Sequence, residues 1–170
     1  AVDHGAQIIN MSIGSNKTSW PQSWDDAFAY AEQKGVLIVA AAGNRGSGLT
    51  QVGAPATIPG VLTVGGVDRK KQVSEGSSTQ GISIAVVAPS TDMIAAAPGN
   101  GYMLWSGSSA AAPLVTGVAA LLKQAGAELV GYDPALSGGT DLGSVSVVDD
   151  AYQAAKDVDA LVVLTEWPDF

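Results

Sequence analysis

Apolar residues fall along this 170-residue chain in short dense runs, parted by stretches rich in glycine, serine and proline. Gln7 to Ile13 carries Ile8, Ile9, Met11 and Ile13, and Val36 to Ala42 is an unbroken run of β-branched and small residues. Val61 to Val67 and Ile82 to Ala88 repeat that character. Short runs without strict alternation are the mark of strands buried on both faces. Between the first two, Pro21 to Lys34 has helical spacing, with Trp24, Ala27, Phe28 and Ala31 on one face. Ser19 is placed to cap it, Pro21 suits its first turn, and Gly35 ends it. Met93 to Ala97 and Tyr102 to Trp105 flank Pro98-Gly99-Asn100-Gly101 and predict a hairpin. From Ser106 a polar loop runs into a helix-forming stretch that reaches Leu122. Pro113 restricts the start of that helix to just upstream, and Gly117 lets it lie close to a neighbour. Glu128 to Tyr132, Val145 to Val148 and Leu161 to Thr165 read as further strands, with a helix from Ala151 to Val158.

Strand, helix, strand with near-continuous apolar runs predicts an α/β fold, a three-layer parallel sheet with helices on both faces. The length fits one domain over 1–170. In such sheets, sites collect where strands end and loops begin. Three loops meet that rule: Ser12-Ile13-Gly14, Gly43-Asn44 and Gly107-Ser108-Ser109.

Composition narrows the function classes. Sixteen acids against eight Lys and Arg leave a net charge of −8, which argues against nucleic acid as a partner. Zero cysteines exclude disulfides and thiolate metal sites. No apolar run reaches membrane-spanning length and no signal peptide is seen, so no membrane partner is expected. No cofactor or metal set is indicated. Ala1 to Ala6 reads as the tail of a helix already under way, so additional N-terminal material is expected.

The loop at 107–109 carries the most chemistry. Ser108 or Ser109 can cap the first turn of the following helix, where free N–H groups need acceptors. A hydroxyl there also meets a partial positive potential, which suits a developing oxyanion. Cap and nucleophile are both open on local pattern alone. Gly107-Ser108-Ser109-Ala110-Ala111-Ala112-Pro113, followed by Val115 and Gly117, resembles the nucleophile segment of the subtilisin-like serine peptidases, G-T-S-x-A-x-P-x-V-x-G. Ser108 stands where Thr is usual and Leu114 where His is common. Ala40-Ala41-Ala42-Gly43-Asn44 and Ile9-Asn10-Met11-Ser12-Ile13-Gly14 resemble two further segments of that family, and the likeness covers 1–123.

The resemblance implies Ser109 as nucleophile and the Asn44 amide as an oxyanion donor. It implies Ser12, Ile13 and Gly14, with Ala41, Ala42 and Gly43, as walls of a pocket for a peptide or protein substrate. Val52-Gly53-Ala54-Pro55 resembles a family turn with a cis bond before its proline. A hydroxyl nucleophile needs a base beside it. The family order is Asp, His, Ser, and the only histidine is His4, outside any such motif. The chain alone is therefore expected to be inactive, with Asp and His supplied by a missing N-terminal portion. Secretion is implied by the resemblance alone.

From 124 onward the text changes. Gly126-Ala127-Glu128-Leu129-Val130-Gly131-Tyr132-Asp133-Pro134, and later Asp159-Ala160-Leu161-Val162-Val163-Leu164-Thr165-Glu166-Trp167, resemble the C-terminal UDP-sugar-binding domain of UDP-glucose dehydrogenases. That implies a Rossmann-like portion over 124–170, joined inside a helix to the partial subtilisin-like portion over 1–123. This portion has no G-x-G-x-x-G loop, and the absence of cysteine excludes that family's dehydrogenase chemistry. The alternatives are an engineered or recombined α/β chimera without catalysis, and a UDP-sugar-binding module.

Overall fold

A computed structural model of the chain describes residues 1–46, 52–74, 78–79, 81–126, 129–131 and 145–156. After one 3-10 turn at Val2–His4, the elements are β1 (Ile8–Met11), α1 (Gln22–Gln33), β2 (Leu37–Ala41), β3 (Val61–Val67) and β4 (Val86–Pro89). There follow β5 (Met93–Ala97), β6 (Gly101–Trp105), α2 (Ser108–Gln124), β7 (Leu129–Gly131), β8 (Val145–Val147) and α3 (Ala151–Ala154). Strands β1 to β4 form one parallel sheet in chain order, with Ile8 opposite Leu37, Ile38 opposite Val61 and Val64 opposite Val86. This is the α/β fold with a parallel sheet that the apolar runs predict.

Side chains alternate across a strand, so each run supplies two cores. Val39, Ala41 and Val64 face Ala111 and Ala112 of α2, which lies across all four strands. On the other face Ile38 packs with Ala31 and Phe28 of α1, while Ala40 and Ala42 pack with Val52 and Ala56. Ala41 on the sheet and Ala111 and Ala112 on α2 are the small residues at that contact. Helix α1 starts at Pro21 in extended conformation, without a side-chain cap from Ser19. Instead the Trp20 indole donates to the Asp25 carboxylate in the first turn. Trp24 stacks on Phe28, whereas Ala27 is exposed, so the buried stripe is narrower than its spacing predicts.

Two further expectations need correction. The fourth strand begins at Val86 rather than Ile82, because Ile84 N–H closes a turn onto the Gly81 carbonyl and leaves Ile82 in solvent. Gly117 has nothing within 4 Å of where a side chain would begin, so it makes no close helix contact. It lies on a face of α2 where Leu114, Val118, Leu121 and Leu122 are also exposed. Val2–His4 forms a 3-10 turn that ends at Gly5 in left-handed conformation.

The hairpin is present as β5 and β6, antiparallel, with Gly99 and Asn100 at positive φ in its turn. Strands β7 and β8 pair in parallel, Leu129 opposite Val145, with α3 against β7. The expected strand Leu161 to Thr165 and the end of the expected helix near Val158 lie outside the described residues. The outer edge of β1 is unpaired among the described residues. Beside it runs a groove of about 620 Å³ lined by Gln7, Ile8, Thr116, Ala120, Lys123 and Gln124. No helix among the described residues is long and apolar enough to cross a membrane.

Candidate active site

The ends of β1 and β2 and the start of α2 converge at one edge of the sheet, because parallel strands deliver their C-terminal loops to the same side. Ser12 follows β1, Gly43 and Asn44 follow β2, and Ser108 and Ser109 open α2. Hydrogen bonds join all three. The Ser109 hydroxyl donates to the Ser12 carbonyl at 3.2 Å, and the Ser12 hydroxyl donates to the Ser109 carbonyl at 2.9 Å. Pro113 makes the second bond available. A helical residue at 113 would ordinarily donate its N–H to the carbonyl at 109, but proline has none. The orphaned carbonyl is taken by Ser12, which sews β1 to α2. Thr116 and Lys123 add two more ties, to the Asn10 carboxamide oxygen at 3.1 Å and the Gly35 carbonyl at 3.0 Å.

Ser108 is fully buried. Its hydroxyl accepts from Gly43 N–H at 2.9 Å and lies 2.9 Å from both the Gly43 carbonyl and the Asn44 side-chain oxygen, so it donates its single proton to one or the other. Its backbone N–H donates to that same Asn44 oxygen at 2.8 Å. The helix start is thus capped by a residue 64 positions away, and neither serine caps it as the local pattern predicts. The N-cap is Gly107, with φ 121°. A side chain there would begin 2.6 Å from the Asn44 amide nitrogen, so only glycine lets the carboxamide pass.

With its oxygen clamped, the Asn44 carboxamide is fixed with its NH2 on the other side. The Ser109 N–H also has no acceptor among the described residues. One side-chain amide, beside Gly107, and one backbone N–H, that of Ser109, are thus available as donors at the start of α2.

The wall segments are braced from below. The bond between Ala54 and Pro55 is cis, as expected from the turn. That turn exchanges bonds with the loop after β1: Ser15 N–H to the Ala54 carbonyl and Ala54 N–H to the Lys17 carbonyl, both 2.8 Å. At Gly53 the approach is so close that a side chain would begin 1.9 Å from the Ser15 carbonyl oxygen. Ala41 and Ala42 are buried in the two cores, so of the three residues expected to line a pocket only Gly43 is accessible. Ile13 and Gly14 are exposed.

His4 stands apart. It is exposed on the 3-10 turn before β1, whereas Ser12 follows the strand. Residues 8 to 12 in extended conformation separate the two ends by ~13 Å. No imidazole or carboxylate hydrogen-bonds the Ser109 hydroxyl among the described residues. Nor do they hold a group of three or more His, Cys, Asp or Glu able to bind a metal.

The profile of the Subtilase family matches residues 1–136. The chain belongs to the subtilase family. A thermophilic serine proteinase from Bacillus sp. (strain AK1) is 40% identical over 126 residues, 74% of this chain and 30% of that protein. Subtilisin DY from Bacillus licheniformis is 40% identical over 126 residues, 72% of this chain and 44% of its own length. This subtilase chain thus spans less than half of either relative. Among solved structures, the patellamide maturation protease PatA superposes with a TM-score of 0.66 at 34% identity, over 75% of this chain and 49% of that one. The prenylagaramide maturation protease PagA gives 0.64 at 28% identity, over 85% and 58%. A second profile, the UDP binding domain of the UDP-glucose/GDP-mannose dehydrogenase family, matches residues 111–170 and overlaps the first.

Two parts of the site were missed at the level of sequence. Ser108 reads as a mild departure from the family's threonine, yet its hydroxyl fixes Asn44; the retained hydroxyl was the available signal. Arg45 reads as one residue of a loop, yet its guanidinium ties the loop after β2 to the loop after β1. A lone cation directly after Asn44 was its only mark.

Proposed function

We propose that this chain is the nucleophile and oxyanion portion of a subtilisin-like serine endopeptidase. Ser109 attacks the carbonyl carbon of a peptide or protein substrate. The Asn44 NH2 and the Ser109 N–H receive the negative charge that forms on the carbonyl oxygen, which is where fixed donors do most for acyl transfer. Ser12-Ile13-Gly14 and Ala41-Ala42-Gly43 frame the residue before the cleaved bond. The observation that carries the reading is the bond from Ser108 N–H to the Asn44 oxygen, which holds that side chain at the start of α2, one residue from Ser109.

What the described residues lack is a base to accept the hydroxyl proton. Ser109 gives it to the Ser12 carbonyl, which is no base, and His4 is remote. Without a base the alcohol is a weak nucleophile, so the chain by itself does not cleave peptides. An added polypeptide bearing the Asp and His of a subtilase completes it. The test is labelling by a fluorophosphonate. Label appears on Ser109 only when that complement is present, and Ser109→Ala abolishes it. Rapid labelling or cleavage by the chain alone refutes the requirement for a complement.

The overlap of two family profiles at 111–136 supports a second statement, that the chain is a recombined α/β fusion joined within α2. Its 124–170 portion would then be a UDP-sugar-binding remnant. Calorimetry with UDP-glucose decides whether that portion retains binding; the absence of heat leaves it a structural graft.

A further inference from the structure

Arg45 follows Asn44 directly, and its guanidinium crosses from one wall segment to the loop that continues the other. Nε donates to the Asn16 side-chain oxygen and Nη2 to the Ser15 carbonyl, each at 2.6 Å. Nη1 occupies the space a side chain on Gly43 would take, 2.8 Å from the position of such a Cβ. The group is held in place by a rigid surround. Ser15 is fixed on the turn at Gly53 and Ala54, Arg45 N–H donates to the Thr79 hydroxyl, and Thr79 N–H donates to the Gly43 carbonyl.

Both acceptors of the guanidinium are neutral. A guanidinium has five N–H donors, and two are engaged. The segments 12–16, 41–46, 78–79 and 106–111 contain no Asp or Glu, although the whole chain carries a net charge of −8. A fixed cation with donors to spare, whose frame holds no acid among the described residues, is built to receive a carboxylate.

We propose that Arg45 forms an anion-receiving end to the substrate cleft, so that the preferred substrates carry Glu or Asp immediately before the cleaved bond. This rests on the reading of 12–14 and 41–43 as the walls of that cleft. Arg45 acts there as a specificity-determining residue.

The test is a titration of the isotopically labelled full chain with three product-like peptides, acetyl-Ala-Ala-Pro followed by Glu, Gln or Leu, read by NMR at residues 12–14, 43–45 and 109. The Glu peptide should bind about tenfold more tightly than the Gln peptide, the scale of a charge-assisted pair that is part-exposed. Arg45→Gln should bring that ratio close to one, while Arg45→Lys keeps a reduced preference. The inference is overturned if the ratio is near one in the parent chain. It is equally overturned if the ratio persists in Arg45→Gln, or if that substitution weakens all three peptides by one factor, which marks a mere brace. Peptides that perturb the cleft without discriminating leave the proposed function standing. Peptides that perturb none of these residues remove the cleft, and both readings with it.

Discussion

Replacing Ser108 with alanine tests the clamp on Asn44. The hydroxyl lies at a fully buried position, accepts from Gly43 N–H and donates to either the Gly43 carbonyl or the Asn44 oxygen. Its loss strands one backbone donor, while the Asn44 oxygen keeps its bond from Ser108 N–H. One stranded donor costs about 1–3 kcal/mol, and the small cavity left by one oxygen adds little. A value of about 2 kcal/mol corresponds to a fall in melting temperature of ~4–8 °C for a chain of this size. Differential scanning calorimetry of parent, Ser108→Ala and Ser108→Thr measures it. Threonine keeps the hydroxyl and should melt well above the alanine variant. The Asn44 side-chain NH2 resonances should also exchange faster with solvent in the alanine variant. An alanine variant that melts within 1 °C of the parent, with unchanged Asn44 signals, would refute the claim that this hydroxyl fixes the amide.

Gly53→Ala should destabilise the chain by more than 3 kcal/mol or prevent folding, because its methyl would begin 1.9 Å from the Ser15 carbonyl; urea titration reports it. Ser12→Ala should cost about 1–2 kcal/mol by leaving the Ser109 carbonyl without its partner; Pro113→Ala, by restoring an N–H at 113, should make the Ser12 substitution cheaper in a double-mutant cycle. Tyr30 should titrate above the ordinary phenol value of 10.0, because it donates to the Asp3 carboxylate and ionises beside that charge. The contact therefore supports the fold below that value and is lost as pH rises through the higher folded pKa; absorbance titration of Asp3→Asn should show the phenol returning toward 10.0.

Much of this architecture is written in local pattern. The run Leu37–Ala41 lacks polar alternation because helices cover both faces, and that is legible without coordinates. The loop positions of Ser12, Asn44 and Ser109 follow from the same runs, since a parallel strand must deliver its end to the helix-start side. What resisted reading was set by distant neighbours. The cap of α2 comes from residue 44, which no window around 108 contains. The start of β4 is fixed by its register on β3 and by a turn at Gly81, rather than by the apolar content of Ile82 and Ile84. Gly117 could have marked close packing, yet it lies on the outward face of α2, and residue type alone does not give the orientation of that face.

The flank of β1 that no described strand covers, with the apolar outer side of α2 nearby, has a consequence for handling the molecule. An unpaired strand edge beside exposed leucines is a template for other chains. At neutral pH the surplus of eight negative charges keeps copies apart. Acidification toward the carboxylate pKa range near 4 removes that repulsion. Colloidal stability should therefore collapse on the acid side well before the sheet itself comes undone, and light scattering should rise while circular dichroism still reports native strands.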